Sequence, residues 1–317
     1  MTQEASRKAS RQIVTSRARQ AAPAAPGPVS RFLDTASPEA LFALSAIAQY
    51  VGATIAVLLF DEVDPVTVAW LRVIGAAIAV LAVSGAFWRG WTRPELVAAA
   101  IFGIATAAMN TFFYLAIDRT DLGKSVAIEF IGPIAVAAAM TRTRRNAGAL
   151  ALAALGVIVL GGLELDGNAA GLGYLLAASA CWAAYIVIGS RVAQQRPGVS
   201  GLGVGLALGA LVLTPFGAPG SSVVWTTPRL LALCLLVGVF SNAIGYGIDQ
   251  HVLRRIPVRR FSLLLALLPV TAVFIGWLVL DQRPSALDLA GIALVLAGVV
   301  LQEREELAAE LALPEPS

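Results

Sequence analysis

The stretch Asp121–Met140, DLGKSVAIEFIGPIAVAAAM, decides how the rest of the chain is read. It is mostly apolar, and at about 1.5 Å per helical residue its length crosses a hydrocarbon core about 30 Å thick. Glu129 sits in its middle, and Gly132-Pro133 follow. A carboxylate at that depth costs at least ~2.5 kcal/mol, so it faces protein or a wet cavity and needs a partner. Gly-Pro interrupts a helix unless neighbours or water satisfy the freed backbone groups. Together the two features predict a helix that lines a pathway. The plainer alternative is an ion pair that holds two helices together.

Composition points the same way. Of 317 residues, 58% are hydrophobic and 14% charged, where a soluble domain carries about 25% charged residues. The mean hydropathy is +0.78, and 29 glycines suit close helix packing in lipid. The net charge of +3 is no nucleic-acid signal, because the basic residues lie in loops and tails. Cys181 and Cys234 sit in apolar runs and give neither a disulfide framework nor metal spacing. His251 is the single histidine, which excludes a multi-histidine metal site. With no nucleophile–base constellation, phosphate loop or metal cluster, the chain reads as no enzyme and calls for no cofactor.

Residues 1–37 are polar and basic and contain AAPAAPGP at 21–28, a composition expected to stay disordered. They lack a secretory signal's apolar stretch and resemble a transit peptide weakly; the charge pattern favours a cytoplasmic tail. Ten apolar segments follow, over 39–60, 65–86, 94–116, 121–140, 146–163, 169–190, 199–217, 228–248, 258–280 and 285–302. With the N-terminus inside, the inner connections and tails hold eighteen Lys and Arg and the outer ones four. That asymmetry puts both termini in the cytoplasm of a plasma-membrane protein.

The two halves repeat at an offset of about 132 to 136 residues. AQYVGA at 48–53 matches CWAAYI at 181–186, FGIATAAMN at 102–110 matches VGVFSNAIG at 237–245, and PIAVAA at 133–138 matches PVTAVF at 269–274. Five is odd, so the second half inserts upside down. The expected fold is therefore an all-α polytopic membrane protein with ten transmembrane helices in two inverted five-helix repeats, 38–163 and 164–302. A C-terminal cytoplasmic tail, 303–317, follows. Inverted repeats recur in secondary transporters, with the substrate site near the midplane between the halves.

Depth arithmetic singles out Arg72 and Glu129, the two deepest ionisable residues, at about 10 and 12 Å. They are expected to share one polar cavity, paired directly or through water. Arg72 would then suit a substrate carboxylate, and Glu129 an ammonium group or a coupling proton. Gln49 and Tyr50 lie mid-span in the first segment. Asn110 and Tyr114 share a face, as do Trp182 and Tyr185, and Asn242 and Tyr246 repeat the Asn-x3-Tyr spacing. These are candidate cavity residues, with interhelical hydrogen bonding and aromatic packing as the alternative. Asp249 and His251 read as interfacial, since polar residues near a helix end can reach water.

Three stretches carry a resemblance: LRVIGAA at 71–77 and NTFFYLAIDRTDLGKSVAIEFIGPIAVA at 110–137 in the first half, and SACWAAYIVIGSRV at 179–192 at the start of the second. They resemble the drug/metabolite transporter superfamily, in particular its EamA-type domains. The run Ala127–Pro133 is similar to the threonine/homoserine exporter (RhtA-like) branch. In the second half, LLALLPV at 264–270 places Leu268 where many members have a glutamate, so Glu129 stands as the lone acidic candidate. The resemblance implies export of small amino acids or related metabolites by proton antiport with alternating access. The implied partners are substrate, protons and membrane lipid, with a homodimer possible and no nucleic acid. Two other readings are efflux of lipophilic cations or nucleobases, and a non-transporting membrane scaffold or sensor whose basic tail attracts anionic lipid.

Overall fold

The structure, a computed structural model, describes residues 28–84, 90–140, 143–162, 169–195, 200–256, 264 and 267–311. The described residues 28–37 belong to a unit of their own. Within it Pro28–Thr35 is a helix, α1, in a stretch the sequence reads as coil. Phe32 and Leu33 give that short piece apolar side chains. The rest of the expected tail, 1–27, lies outside the described residues, as do 258–263 at the start of the ninth apolar segment and 312–317 of the C-terminal tail.

From Pro38 onward the described chain is helical: α2 (Pro38–Leu59), α3 (Pro65–Ser84), α4 (Arg93–Ile117), α5 (Leu122–Glu129), α6 (Ile131–Met140), α7 (Arg144–Gly162), α8 (Ala169–Gln195), α9 (Ser200–Gly217), α10 (Ser222–Thr226) and α11 (Pro228–Gly238). A π-helical segment, Val239–Gly245, joins α11 to α12 (Tyr246–Arg255). Then come α13 (Leu267–Leu280) and α14 (Ala286–Leu311). Proline opens α2, α3 and α11, where the first turn needs no N–H partner. The Glu95 carboxylate accepts from the Thr92 backbone N–H at 2.8 Å and closes the start of α4. Ser285 and Asp288 close α14 reciprocally, through bonds of 2.8 and 3.1 Å.

Among the described residues six helices are long and apolar enough to cross a membrane: Pro38–Leu59, Pro65–Ser84, Arg93–Ile117, Ala169–Ile188, Ser200–Gly217 and Pro228–Asp249. Leu267–Leu280 and Ala286–Leu301 are shorter apolar helices. Leu58, Ile78, Leu211, Phe216, Phe274 and Trp277 are exposed, while Arg72, Asn110, Glu129 and Asn242 are buried. An apolar exterior around a polar interior inverts the soluble pattern and is what a lipid solvent selects. The protein is a multi-pass membrane protein.

Two apolar segments are not simple helices. The run 121–140 divides at Phe130 into α5 and α6. Pro133 has no N–H to offer the Glu129 carbonyl, and the Phe130 N–H bonds back to Ala127 instead. The run 228–248 stays continuous but widens into the π segment around Asn242. Such bulges are found mostly at functional sites.

Helix neighbours are set by small residues. A Cβ on Gly103 would strike the Gly205 carbonyl, so α4 and α9 touch backbone to backbone. A Cβ on Gly238 would strike the Arg72 carbonyl, and one on Gly52 the Ser241 hydroxyl. These contacts press α3 onto the end of α11 and α2 onto the π segment. More widely, α3 packs on α9 and α11, and α4 on α8 and α9. Helix α2 packs on the π segment, α12 and α13. Helix α5 packs on α13, α6 on α7 and α8, and α7 on α14.

Candidate functional site: a buried polar cluster at two broken helices

Arg72 projects from α3 toward the π segment, because Gly238 lets the two backbones meet one turn earlier. Its Nε donates to Asn242 Oδ1 at 2.7 Å, which fixes the amide with its Nδ2 on the other side. Its guanidinium carbon lies 4.8 Å from the centre of the Tyr114 ring, a favourable cation–π distance. Tyr114 is held in turn edge-on to Phe60, with centroids 5.7 Å apart. Arg72 is 6% exposed, Asn242 and Tyr114 0%. Among the described residues Arg72 Nη1, Asn242 Nδ2 and the Tyr114 hydroxyl are buried and make no hydrogen bond of good geometry, though the Tyr114 hydroxyl lies close enough to the guanidinium to interact with it. An unmet buried polar group costs about 1–3 kcal/mol, and more when charged. Two of the three groups are pure donors and the third can donate, so their common complement is an anion such as a carboxylate.

Glu129 ends α5 at the helix break and is 8% exposed. Its carboxylate makes no hydrogen bond or ion pair among the described residues, but it lies within electrostatic reach of Arg72. Direct pairing with Arg72, one form of the sequence expectation, is not what the structure holds. The close α3–α11 contact brings Asn242 to the guanidinium first. Gly132 seats the break on α8, where a Cβ would meet the Ser179 carbonyl. Phe130 stacks edge-on against Trp182, with centroids 5.1 Å apart and planes at 84°.

The remaining candidates divide. Tyr246 is within electrostatic reach of Arg72, Glu129, Asp249 and Tyr114. Tyr50, buried on α2, is within reach of Glu129, Tyr246 and Asp249. Tyr185 reaches Tyr246 and Asp249 and packs its ring 4.8 Å from Phe102. Asn110 does not join the cluster, for its Nδ2 donates to the Thr106 carbonyl of its own helix at 2.7 Å. Gln49 is drawn elsewhere, with Nε2 donating to Ser45 Oγ at 3.0 Å and Asp249 Oδ2 at 3.1 Å.

Asp249 is therefore not simply interfacial, since its carboxylate is turned onto α2. The available signal was the spacing Asn242, Tyr246, Asp249, at i, i+4 and i+7, which puts all three on one helical face. The π segment had no sequence signal.

Residues 169–302 match the EamA-like transporter family. The chain is 31% identical over 265 residues to the threonine/homoserine exporter RhtA of Salmonella typhimurium strain SL1344, covering 81% of this chain and 87% of that protein. The chain belongs to the EamA-like transporter family, in its RhtA-like branch. The RhtA exporter of Escherichia coli K12 is 30% identical over 266 residues, covering 80% of this chain and 88% of that one. A probable amino-acid metabolite efflux pump of Salmonella typhimurium LT2 is 27% identical over half of this chain and 57% of its own. One crystal structure shares the fold with a TM-score of 0.58 at 18% identity, over 83% of this chain and 96% of that one. As an EamA-type protein of this branch the chain is a membrane exporter and not an enzyme.

Proposed function

We propose that this EamA-type chain exports small amino acids of the threonine/homoserine kind, or related metabolites, across the plasma membrane by proton antiport with alternating access. One observation carries the substrate class: three buried groups able to donate, on Arg72, Asn242 and Tyr114, meet at one place, and Arg72 among them is within electrostatic reach of Glu129, whose carboxylate makes no hydrogen bond or ion pair among the described residues. A zwitterion supplies both complements. Its carboxylate takes the donors, at about 1.5–3 kcal/mol per charged hydrogen bond, and its ammonium takes Glu129. A lipophilic cation would leave the three donors unmet. The RhtA relatives, named for threonine and homoserine, favour the same class.

The architecture we propose is ten spans in two inverted repeats, 38–163 and 164–302, with both termini cytoplasmic. The packing pattern supports it. Exchanging the halves carries α4 on α8 into α12 and the π segment on α2, and α4 on α9 into α11 on α3. It likewise carries α6 on α8 into α13 on α2, while α3–α9, α5–α13 and α7–α14 each join a helix to its own mate. The basic residues favour the stated orientation. In this arrangement the two irregular elements, the α5/α6 break and the π segment, bracket the cluster, as irregular backbone does in transporters.

The test is labelled-threonine flux in proteoliposomes. Uphill accumulation that collapses when the pH gradient is dissipated supports the proposal. Flux of organic cations alone refutes the substrate class, and no flux with any solute favours a scaffold.

A further inference from the structure

Asp249 is held by Ser45 and Gln49 of α2 in a way that counts hydrogens. Ser45 Oγ has three neighbours: the Gly245 carbonyl at 2.9 Å, Asp249 Oδ1 at 2.5 Å and Gln49 Nε2 at 3.0 Å. Gln49 Nε2 also donates to Asp249 Oδ2 at 3.1 Å. The amide supplies its own hydrogens, which leaves one serine hydrogen for two oxygen contacts. A carbonyl has no hydrogen to give. Both contacts are satisfied together only when Ser45 donates to Gly245 and Asp249 Oδ1 carries a proton that it donates to Ser45. With Asp249 ionised, Ser45 turns its hydrogen to the carboxylate. The Gly245 carbonyl then faces a bare oxygen at 2.9 Å, a contact that pushes the two apart.

Gly245 is the last residue of the π segment, and Asn242 within that segment holds Arg72. We propose that Asp249 is the site of the coupling proton, and that its proton is sensed at the substrate cluster through Ser45, Gly245 and the π segment. The inference rests on the exporter reading and moves the coupling proton away from Glu129, which is left free for the substrate ammonium. The step is a simple one: a proton from the outer solution forms an O–H bond on Asp249 Oδ1, and later leaves to the inner solution as a bare carboxylate remains. The groups that hold Asp249 are uncharged. Among the described residues the titratable side chains facing it are Tyr50 from α2, Tyr185 from α8 and Tyr246 from its own face, none of them a cation. On the same elements His251 and Arg255 follow along α12, and Glu39 stands in the first turn of α2. A carboxylate inside an apolar bundle with neutral partners is a place for a proton to bind and leave, as in other membrane proton relays.

The experiment uses the full chain in proteoliposomes with labelled threonine, beside infrared spectroscopy of the carboxylic-acid carbonyl stretch. In Asp249→Asn, threonine counterflow without a pH gradient persists, while gradient-driven accumulation falls at least tenfold to simple equilibration. One titrating carbonyl band disappears. Ser45→Ala guards against misfolding of the first variant: it keeps the band and loses most of the gradient-driven accumulation. Full accumulation by Asp249→Asn, or an unaltered set of titrating bands, overturns the proposal. A wild-type protein with no threonine counterflow overturns the exporter reading instead, and the infrared band then decides the proton site alone.

Discussion

Asn242 is predicted to serve stability with one side of its amide and transport with the other, and two substitutions separate the roles. Its Oδ1 accepts the 2.7 Å bond from Arg72 Nε, and both residues are buried. Asn242→Ala removes that acceptor and leaves the guanidinium with a second unmet donor beside Nη1. A hydrogen bond to a charged group is worth about 1.5–3 kcal/mol, so the folded state should lose about 2 kcal/mol. Asn242→Asp keeps an oxygen against Arg72 and adds a charge that pairs with it, so stability should hold or rise. The same change turns the free Nδ2 donor into an acceptor and sets a negative charge where a substrate carboxylate is proposed to bind. Loss of one charged hydrogen bond raises KM about 10- to 100-fold, since each 1.4 kcal/mol is a factor of ten. The added repulsion takes the effect further. The assays are thermal unfolding of the purified protein in detergent and threonine counterflow in proteoliposomes. Wild-type KM in Asn242→Asp would falsify the carboxylate cradle, and wild-type stability in Asn242→Ala would show that Arg72 does not depend on this amide.

Glu129→Gln should abolish threonine flux at no cost in thermal stability, because among the described residues the carboxylate has no hydrogen bond or ion pair to lose; a large drop in unfolding temperature points to the structural ion-pair alternative. Lys124 Nζ lies 3.2 Å from Asp288 Oδ1, whose side chain is 4% exposed. Lys124→Met should therefore cost about 3 kcal/mol by stranding a buried charge. Adding Asp288→Asn, which keeps an acceptor for the Ser285 N–H, should recover most of that loss; failure of the double variant to recover sinks the assignment. Gly103→Leu should prevent a stable fold, because its side chain would fall on the Gly205 backbone where α4 and α9 touch. The readout is the monodisperse fraction by size exclusion, and a wild-type profile contradicts the contact.

Much of this protein is legible from local pattern alone. Apolar run lengths mark the helices, since a backbone in lipid has to close its hydrogen bonds within each segment. Arg72 and Glu129 stand out because charge at such depth is costly. The broken helix at Phe130 follows from Gly132-Pro133. Which polar groups meet is another matter. Asn110 and Asn242 share a spacing to tyrosine and look equivalent in the sequence. The first is spent on its own helix at Thr106, and the second, in a π turn, reaches Arg72. Asp249 looks like a helix-end residue until α2 is laid beside it with Ser45 and Gln49.

The sequence by itself determined the class of solvent, the helical segments and the two charges that had to be sheltered, because each of these depends on the composition of one contiguous stretch. Tertiary structure decided the partners: Asn242 rather than Glu129 for Arg72, and α2 rather than the interface for Asp249. Those choices depend on where glycine lets two backbones touch and on how far a π turn rotates the residues beyond it. Neither quantity is a property of any one segment.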